Sequence, residues 1–176
     1  FLGNSAANNA DLGGGNDYAY GADGNDTFDG EGGNDTLYGQ NGNDTLVGGD
    51  GLDMLRGGDG NDFLYGSDGN DQLFGEDGND TFNGGGGSDS IYAGPGPDSI
   101  IGGDGSDTFD ATASTASWTI DLALGTALFG STTESLLAVE NVGMGSGNDR
   151  VGLRLLHLPA HRLRNPVGRT RHGLDL

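Results

Sequence analysis

Apolar side chains recur singly along most of this chain, one in every nine residues. Each lies two places after an Asp and is flanked mostly by Thr, Ser, Tyr or other polar residues, as in TLV (45–47) and FLY (63–65). β-Branched and aromatic residues favour short strands, and alternate side chains of a strand point to opposite faces. The pattern predicts eleven short strands, each turning one side chain inward: Ala19, Phe28, Leu37, Leu46, Leu55, Leu64, Leu73, Phe82, Ile91, Ile100 and Phe109.

The six residues between successive strands consist mainly of Gly, Asn and Asp. Gly stands two places before every Asp of the repeat, and five places before it in nine of eleven copies, the exceptions being Leu12 and Ala93. Gly reaches positive φ freely and Asn and Asp tolerate it, so these segments must turn. Alternating turns and strands in constant register predict a coil of parallel strands with two repeats per revolution. Each repeat would stack on the second one after it, about 4.8 Å away.

Charge divides the chain into two unlike pieces. Residues 1–149 hold 26 acids and one base, Arg56, for a net charge of −25, whereas residues 150–176 carry six Arg and one acid, for +5.

Leu, Ile, Val and Phe make up about a fifth of the residues, a composition typical of disorder in so charged a chain. Cys is absent, which excludes disulfide scaffolds and thiolate metal sites. No apolar stretch approaches the roughly 18 residues of a transmembrane segment.

Stacked repeats would bring each Asp beside the Asp two repeats later. Two bare carboxylates about 4 Å apart repel by roughly 4 kcal/mol at an effective dielectric constant of about 20. Carboxylates and glycine-turn carbonyls are ligands that Ca²⁺ prefers, and residues 1–149 have no Cys or His to select a softer metal. The eleven repeats form nine such interturn positions. We therefore predict several bound Ca²⁺ ions, up to about nine, with binding coupled to folding because one apolar residue per repeat is a thin core.

The repeating unit is G-(G/x)-x-G-x-D-x-(apolar)-x, as in GGDGNDFLY (57–65). It resembles the RTX (hemolysin-type) calcium-binding nonapeptide, continuously over residues 12–110 and once more at MGSGNDRVG (144–152). The resemblance implies an all-β fold, a right-handed parallel β-roll or solenoid with Ca²⁺ in its turns. It also implies a secreted, extracellular bacterial protein exported by a type I system. No N-terminal signal peptide is visible and Phe1 is not an initiator Met, so we expect a fragment of a longer protein.

In such repeats the resemblance assigns calcium binding to the sixth-position Asp and to turn carbonyls. The corresponding side chains here are Asp17, Asp26, Asp35, Asp44, Asp53, Asp62, Asp71, Asp80, Asp89, Asp98, Asp107 and Asp149. The corresponding carbonyls lie near Gly24, Gly33, Gly42, Gly51, Gly60, Gly69, Gly78, Gly87, Gly96 and Gly105.

The segments around the repeats depart from the pattern. Residues 1–11 read as a degenerate leading repeat with Asn9 in place of Asp and one residue missing before the next unit. Residues 111–143 read as a spacer with two or three short strands. WTIDLALG (118–125), with Trp118, Ile120 and Leu122 alternating on one face, is one candidate strand and LLAVENVG (136–143) is another. Residues 144–152 form an isolated repeat, with Asp149 beginning a new coil.

Four Tyr residues share one position of the repeat. Tyr20, Tyr38, Tyr65 and Tyr92 all stand in the ninth position of the repeat, three places after its Asp. The shared position predicts that these four side chains stack along one outer face.

The basic tail, residues 153–176, allows three interpretations. It is a basic arm for membranes or nucleic acid, a C-terminal export signal ending in GLDL (173–176), or the product of a frameshift, and we expect the segment to be disordered or frameshifted. Its Arg content argues against the export signal. Pro159 separates His157 from His161 and breaks the helix that would align them for a metal.

Together these features predict a non-enzymatic calcium-binding module that assists the export and stability of its parent protein. No GxSxG or HExxH motif occurs, and residues 1–149 have no His to act as a base. The expected partners are calcium ions and a type I secretion apparatus, without nucleic acid. The alternative is that the chain is the C-terminal part of a secreted protease, lipase, epimerase, toxin or adhesin whose active domain lies upstream.

Overall fold

The computed structural model describes residues 1–110, 118–121, 126–129, 132–137, 141–143 and 150–152, and the side chains of residues 1–109. No helix occurs among these residues, and so none that could cross a membrane. The strands are β1 (Asn9–Asp11), β2 (Tyr18–Asp23), β3 (Thr27–Asp29), β4 (Thr36–Asn41), β5 (Thr45–Gly51), β6 (Met54–Asp59), β7 (Phe63–Gly69), β8 (Gln72–Asp77), β9 (Thr81–Gly87), β10 (Ser90–Tyr92), β11 (Ser99–Gly105), β12 (Thr108–Asp110), β13 (Trp118–Asp121), β14 (Thr126–Phe129), β15 (Thr132–Leu137), β16 (Asn141–Gly143) and β17 (Arg150–Gly152).

The strands of the repeats wind alternately into two parallel sheets. Even-numbered strands β2 to β12 pair in sequence in one sheet, and odd-numbered strands β1 to β11 do so in the other. Paired residues are 18 positions apart, as in Leu37 with Leu55 and Leu46 with Leu64. Two repeats therefore make one coil, and the chain is an all-β parallel β-solenoid of the β-roll type, as the sequence predicts.

The apolar row fills the space between the two sheets. All eleven predicted side chains are at most 1% exposed and form one cluster with Ala93. The sheets continue past residue 110 differently. β12 pairs with β16 in parallel, whereas β11 pairs with β15, which is followed in its sheet by β14, β13 and β17. The β15–β14 and β14–β13 pairings are antiparallel. Asp149 and the tail 153–176 lie outside the described residues.

The leading repeat keeps the period of nine, so its predicted alignment on Asn9 is wrong. β1 pairs Asn9 with Thr27 and Ala10 with Phe28, which places Asn8 at the position of the Asp. The backbone N–H of Asn8 donates to Asp26 Oδ1 at 2.7 Å, as the Asp N–H groups do in later coils. No residue is missing. Asn8 and Asn9 are equivalent as residue types, and only the register of β1 on β3 distinguishes them.

The predicted single Tyr row is also wrong, because successive repeats belong to opposite sheets. Tyr20, Tyr38 and Tyr92 lie on β2, β4 and β10, whereas Tyr65 lies on β7 in the other sheet. Residues share an outer column only when they are separated by a multiple of 18. The even-sheet column is therefore completed by Arg56 and Phe74, and the rings of Phe74 and Tyr92 stack 4.5 Å apart.

Candidate metal centre

The candidate aspartates lie inside the turns rather than on their surface. Ten of them are at most 3% exposed, which for a charged side chain requires compensation by partners. Asp17, at the start of the array, is half-buried. The buried aspartates are Asp26, Asp35, Asp44, Asp53, Asp62, Asp71, Asp80, Asp89, Asp98 and Asp107.

One oxygen of each buried carboxylate binds the neighbouring coil. Asp44 Oδ1 accepts the backbone N–H of Asp26 at 2.7 Å, and Asp62 Oδ1 accepts that of Asp44 at 2.7 Å. The same bond recurs in every coil from Asp17 N–H to Asp107 Oδ1, at 2.7 to 2.9 Å. These charge-assisted bonds fix the orientation of each carboxylate and stack the aspartates into two columns, one along each edge of the roll.

The second oxygen has no protein partner in nine of these side chains. Oδ2 is buried without a hydrogen bond in Asp26, Asp35, Asp44, Asp53, Asp62, Asp71, Asp80, Asp89 and Asp98. An unsatisfied buried charge is strongly destabilising unless something neutralises it. A regular column of such oxygens therefore indicates that the turns are completed by a cation or a proton.

The Gly that stands five places before most of these Asp residues makes room for that second oxygen. A Cβ built on Gly57 would lie well inside 3.0 Å of Asp62 Oδ2, a separation that real Cβ atoms do not adopt. At Gly21, the Cβ would meet both Asp26 Oδ2 and the carbonyl oxygen of Gly39 in the next coil. This position is therefore Gly because a carboxylate and a carbonyl of the adjacent coil converge on it.

The Gly two places before each Asp has a different role. Gly60 has a φ of +135°, and a Cβ there would collide with the carbonyl oxygen of Gly42 in the preceding coil. The same close approach to the Gly 18 residues later is made by the carbonyl oxygens of Gly24, Gly33, Gly51, Gly60, Gly69, Gly78 and Gly87, so these predicted carbonyls lie between successive coils.

Burial raises the pKa of the aspartates in the middle of the roll. Loss of hydration is the largest cause in each case, opposed by the backbone N–H bond and reinforced by neighbouring carboxylates. The pKa is about 6 for Asp44, Asp62 and Asp98 and about 7 for Asp71 and Asp80. It is raised for Asp53 and Asp89 as well. A calcium-free turn with a raised pKa therefore takes up a proton more readily than an exposed Asp does.

A second ladder, of Asn side chains, was not anticipated from the sequence. The Asn preceding Asp62, Asn61, donates its backbone N–H to Asn43 Oδ1 at 2.7 Å, and Asn79 donates to Asn61 Oδ1 at 2.9 Å. The signal was present as the recurring Asn-Asp pair. These exposed amides hold the turn backbones of successive coils together from the outside.

The donor set fits Ca²⁺. The turns offer buried carboxylate oxygens without partners and closely stacked backbone carbonyls, the hard oxygen ligands that Ca²⁺ takes in numbers of about six to eight. Among the described residues, no three acidic or His side chains converge to hold a metal by themselves. A bound ion would therefore need carbonyl ligands in addition to the Asp oxygen.

Comparison with known families agrees with this geometry. Models of the RTX calcium-binding nonapeptide repeat, in units of four copies, match overlapping segments that together span residues 2–113. Comparison with curated proteins gives no significant match. The matched segment is the part of the chain that winds into the roll and carries the two aspartate columns, so this chain belongs to the RTX calcium-binding nonapeptide repeat family and is a calcium-binding β-roll module.

Proposed function

We propose that this chain is a secreted module that folds when it meets extracellular Ca²⁺ and thereby stabilises and assists the export of its parent protein. The observation that carries the proposal is the set of nine buried carboxylate oxygens without a protein partner. A fold that buries unneutralised charge at regular intervals is unstable unless a ligand supplies the opposite charge.

Charge supports the coupling of folding to calcium. Residues 1–149 carry a net charge of −25, and self-repulsion favours an extended chain. Divalent ions at the interturn positions would offset most of that charge while bridging successive coils. Because the ligand carbonyls converge only when the coils stack, binding free energy becomes folding free energy.

The proposed ligands are the Asp side chains and the carbonyls of the glycine turns in adjacent coils. Ca²⁺ would neutralise the buried Oδ2 atoms and satisfy carbonyls along the inner edge of each turn. The protein orients each carboxylate for the ion, because a backbone N–H of the adjacent coil holds its Oδ1 in place.

The proposed extracellular location follows from the same dependence on calcium. Where Ca²⁺ is scarce, as inside a cell, the module would remain extended and suited to export through a type I apparatus, and it would fold outside. RTX repeats are typical of secreted bacterial proteins, which supports this location. The module is non-enzymatic in this proposal, and any reaction belongs to other parts of its parent protein.

A calcium titration of the full 176-residue chain at pH 7.5, followed by circular dichroism, tests the proposal. We expect little strand signal in chelator and a cooperative gain on adding Ca²⁺. Mg²⁺ at equal concentration is the matched control and should act weakly, since it demands near-octahedral geometry and dehydrates reluctantly. A full strand signal already in chelator would rule out calcium-driven folding.

A further inference from the structure

The dipeptide Asn-Gly occurs twice in the sequence, at residues 41–42 and 83–84. The backbone nitrogen that follows an Asn can attack the carbon of its side-chain amide. Gly has no Cβ to obstruct the attack and leaves the backbone free to bring the two groups together in an unfolded chain. Each Asn-Gly bond is therefore a candidate site of covalent change, and the fold decides whether its groups react.

Stacking of the coils holds the reacting groups apart at the first of these bonds. Gly42 N–H donates to the carbonyl oxygen of Asp59 in the next coil at 2.8 Å. The carbonyl oxygen of Asn41 accepts the N–H of Gly24 in the preceding coil, also at 2.8 Å. The side-chain Nδ2 of Asn41 donates to Asp23 Oδ1 at 2.7 Å. The attacking nitrogen, the peptide bond and the leaving amide are thus all fixed by residues of neighbouring coils.

The second Asn-Gly bond lies within a strand instead of at the end of one. Asn83 and Gly84 belong to β9, and Asn83 pairs with Tyr65 on β7 and with Ile101 on β11. Asn83 is half-buried, whereas Asn41 is exposed. Both bonds are therefore held by adjacent coils, and the bond at Asn41 is the one that water reaches more easily.

We propose that Asn41 is a deamidation site that is protected in the calcium-loaded roll and reactive in the calcium-free chain. The proposal rests on the proposed function, because there calcium is what winds the coils. The Gly42 nitrogen bonds to Asn41 Cγ, the Cγ–Nδ2 bond breaks, and the proton of the Gly42 N–H leaves with Nδ2 as ammonia. Water then opens the succinimide ring. Residue 41 becomes either Asp or isoaspartate, in which the main chain continues through the side-chain carboxyl carbon.

Either product disturbs the column in which residue 41 stands. The register places Asn41 between Asp23 and Asp59, so its amide separates two exposed carboxylates. A third carboxylate there would lose the bond to Asp23 and add repulsion. Isoaspartate would add a carbon to the main chain beside Gly42, where the carbonyl oxygen of Gly24 leaves no room even for a Cβ. A chain kept without calcium therefore loses its capacity to fold as residue 41 reacts.

Mass spectrometry of the full chain, incubated at pH 7.5 in chelator or in excess CaCl₂, tests the proposal. Trypsin cleaves after Arg56 and Arg150 and so separates the two Asn-Gly bonds. In chelator, peptide 1–56 should gain the mass of NH₂ replaced by OH, and this gain should be at least about tenfold slower in CaCl₂. Equal rates in a chain that folds with calcium, as judged by circular dichroism, would overturn the proposal.

Asn41→Gln is the matched control, because the longer Gln side chain keeps the amide but forms the corresponding ring much more slowly. This variant should keep its calcium response and lose the mass gain of peptide 1–56. The same gain in the variant would place the reaction at another residue and overturn the proposal.

A wild-type chain whose strand signal does not respond to calcium would instead overturn the proposed function. The rates of deamidation in buffer and in concentrated urea then show whether stacked coils protect Asn41. Equal rates in those two solutions would overturn the present proposal as well.

The loss of folding capacity is measured in the Asn83→Gln background, which leaves residue 41 as the remaining Asn-Gly site. After long incubation in chelator, calcium should restore less strand signal than it does in the fresh chain. The chain that also carries Asn41→Gln should keep its full response. Equal losses in the two chains would show that residue 41 does not limit folding, contrary to the proposal.

Discussion

The strands of this roll bury one column of apolar side chains in each sheet, and the turns bury one column of carboxylates along each edge. The two kinds of burial have opposite effects on stability. Leu55 on β6 is fully buried among apolar neighbours, and its removal from water is favourable by itself. Asp62 in the next turn is 1% exposed, yet one of its oxygens has no partner. Both columns repeat every 18 residues and are equally regular.

The difference shows how a thin core and a charged interior depend on each other. One apolar side chain per nine residues cannot offset the entropy of ordering so much Gly. The turns could add stability only if their buried charge is neutralised. Stability in the strands is therefore intrinsic, whereas stability in the turns depends on a proton or a metal ion from outside.

Lowering the pH should stabilise the calcium-free turns without acting on the strands, and we expect it to produce the largest change in stability. The folded-state pKa values of about 6 to 7 for Asp44, Asp62, Asp71, Asp80 and Asp98 lie above the unfolded value of 3.8. The stabilisation of the calcium-free roll by bound protons is thus complete below about pH 4 and lost as pH rises through 6 to 7. In chelator, the strand signal in circular dichroism should increase as pH falls from 8 to 5. A decrease over that range would contradict this account, and with saturating Ca²⁺ the gain should disappear.

Removing an apolar side chain should weaken the strands whether or not calcium is present. Leu64→Ala leaves a cavity in the row, so it should lower the free energy of unfolding of the calcium-loaded roll by about 2–5 kcal/mol. Urea denaturation in excess CaCl₂ measures this loss. Leu52, which is 56% exposed, is the matched control, and Leu52→Ala should change stability by less than about 0.5 kcal/mol.

Removing one buried charge should affect the turns in two opposite directions. Asp62→Asn keeps an oxygen for the Asp44 N–H but has no negative charge, so the chelated chain should gain about 1–3 kcal/mol. The same variant should bind calcium more weakly. Denaturation in chelator and calcium titration measure the two effects. Asp59→Asn, on an exposed side chain nearby, should produce neither. Equal effects of the two substitutions would show that net charge, rather than burial, matters.

The outer face should contribute least. Arg56 forms an ion pair with Glu76 at 2.6 Å, with both side chains about 40% exposed, and lies 4.9 Å from the ring centroid of Phe74. Exposed ion pairs and cation–π contacts are each worth up to about 1 kcal/mol. Arg56→Ala should therefore lower stability by less than about 2 kcal/mol, and a double-mutant cycle with Glu76→Gln should isolate the ion pair. A coupling energy that does not decrease in high salt would argue against an electrostatic contribution.

Much of the fold was predictable because each repeat specifies its own local structure. The alternation of Thr-Leu-Val strands with Gly-rich turns identified the strands, the inward residue and the 18-residue coil. The candidate aspartates followed from the same period. The conformational preference of single residues did not predict every turn, because Glu31 and Glu76 adopt positive φ at the turn position that Gly49 and Gly58 occupy in neighbouring coils.

Contacts between coils could not be derived in this way. The placement of Asn8 rather than Asn9 in the aspartate column, and of Tyr65 on the opposite sheet from Tyr38, depends on which residues meet 18 positions apart. The same holds for the hydrogen bond from each Asp N–H to the carboxylate 18 residues later, for the Asn ladder and for the space that Gly57 leaves beside Asp62 Oδ2.

The sequence by itself determined the period, the strand positions and the acidic character of the turns, because these depend on residues within one nonapeptide. Only the tertiary structure decided that the carboxylates are buried, that one oxygen of most of them lacks a partner, and that the Gly five places before most of them stands against that oxygen. The physical reason is that desolvation and close packing arise from neighbouring coils, and a nonapeptide has no neighbours until the chain has wound once around.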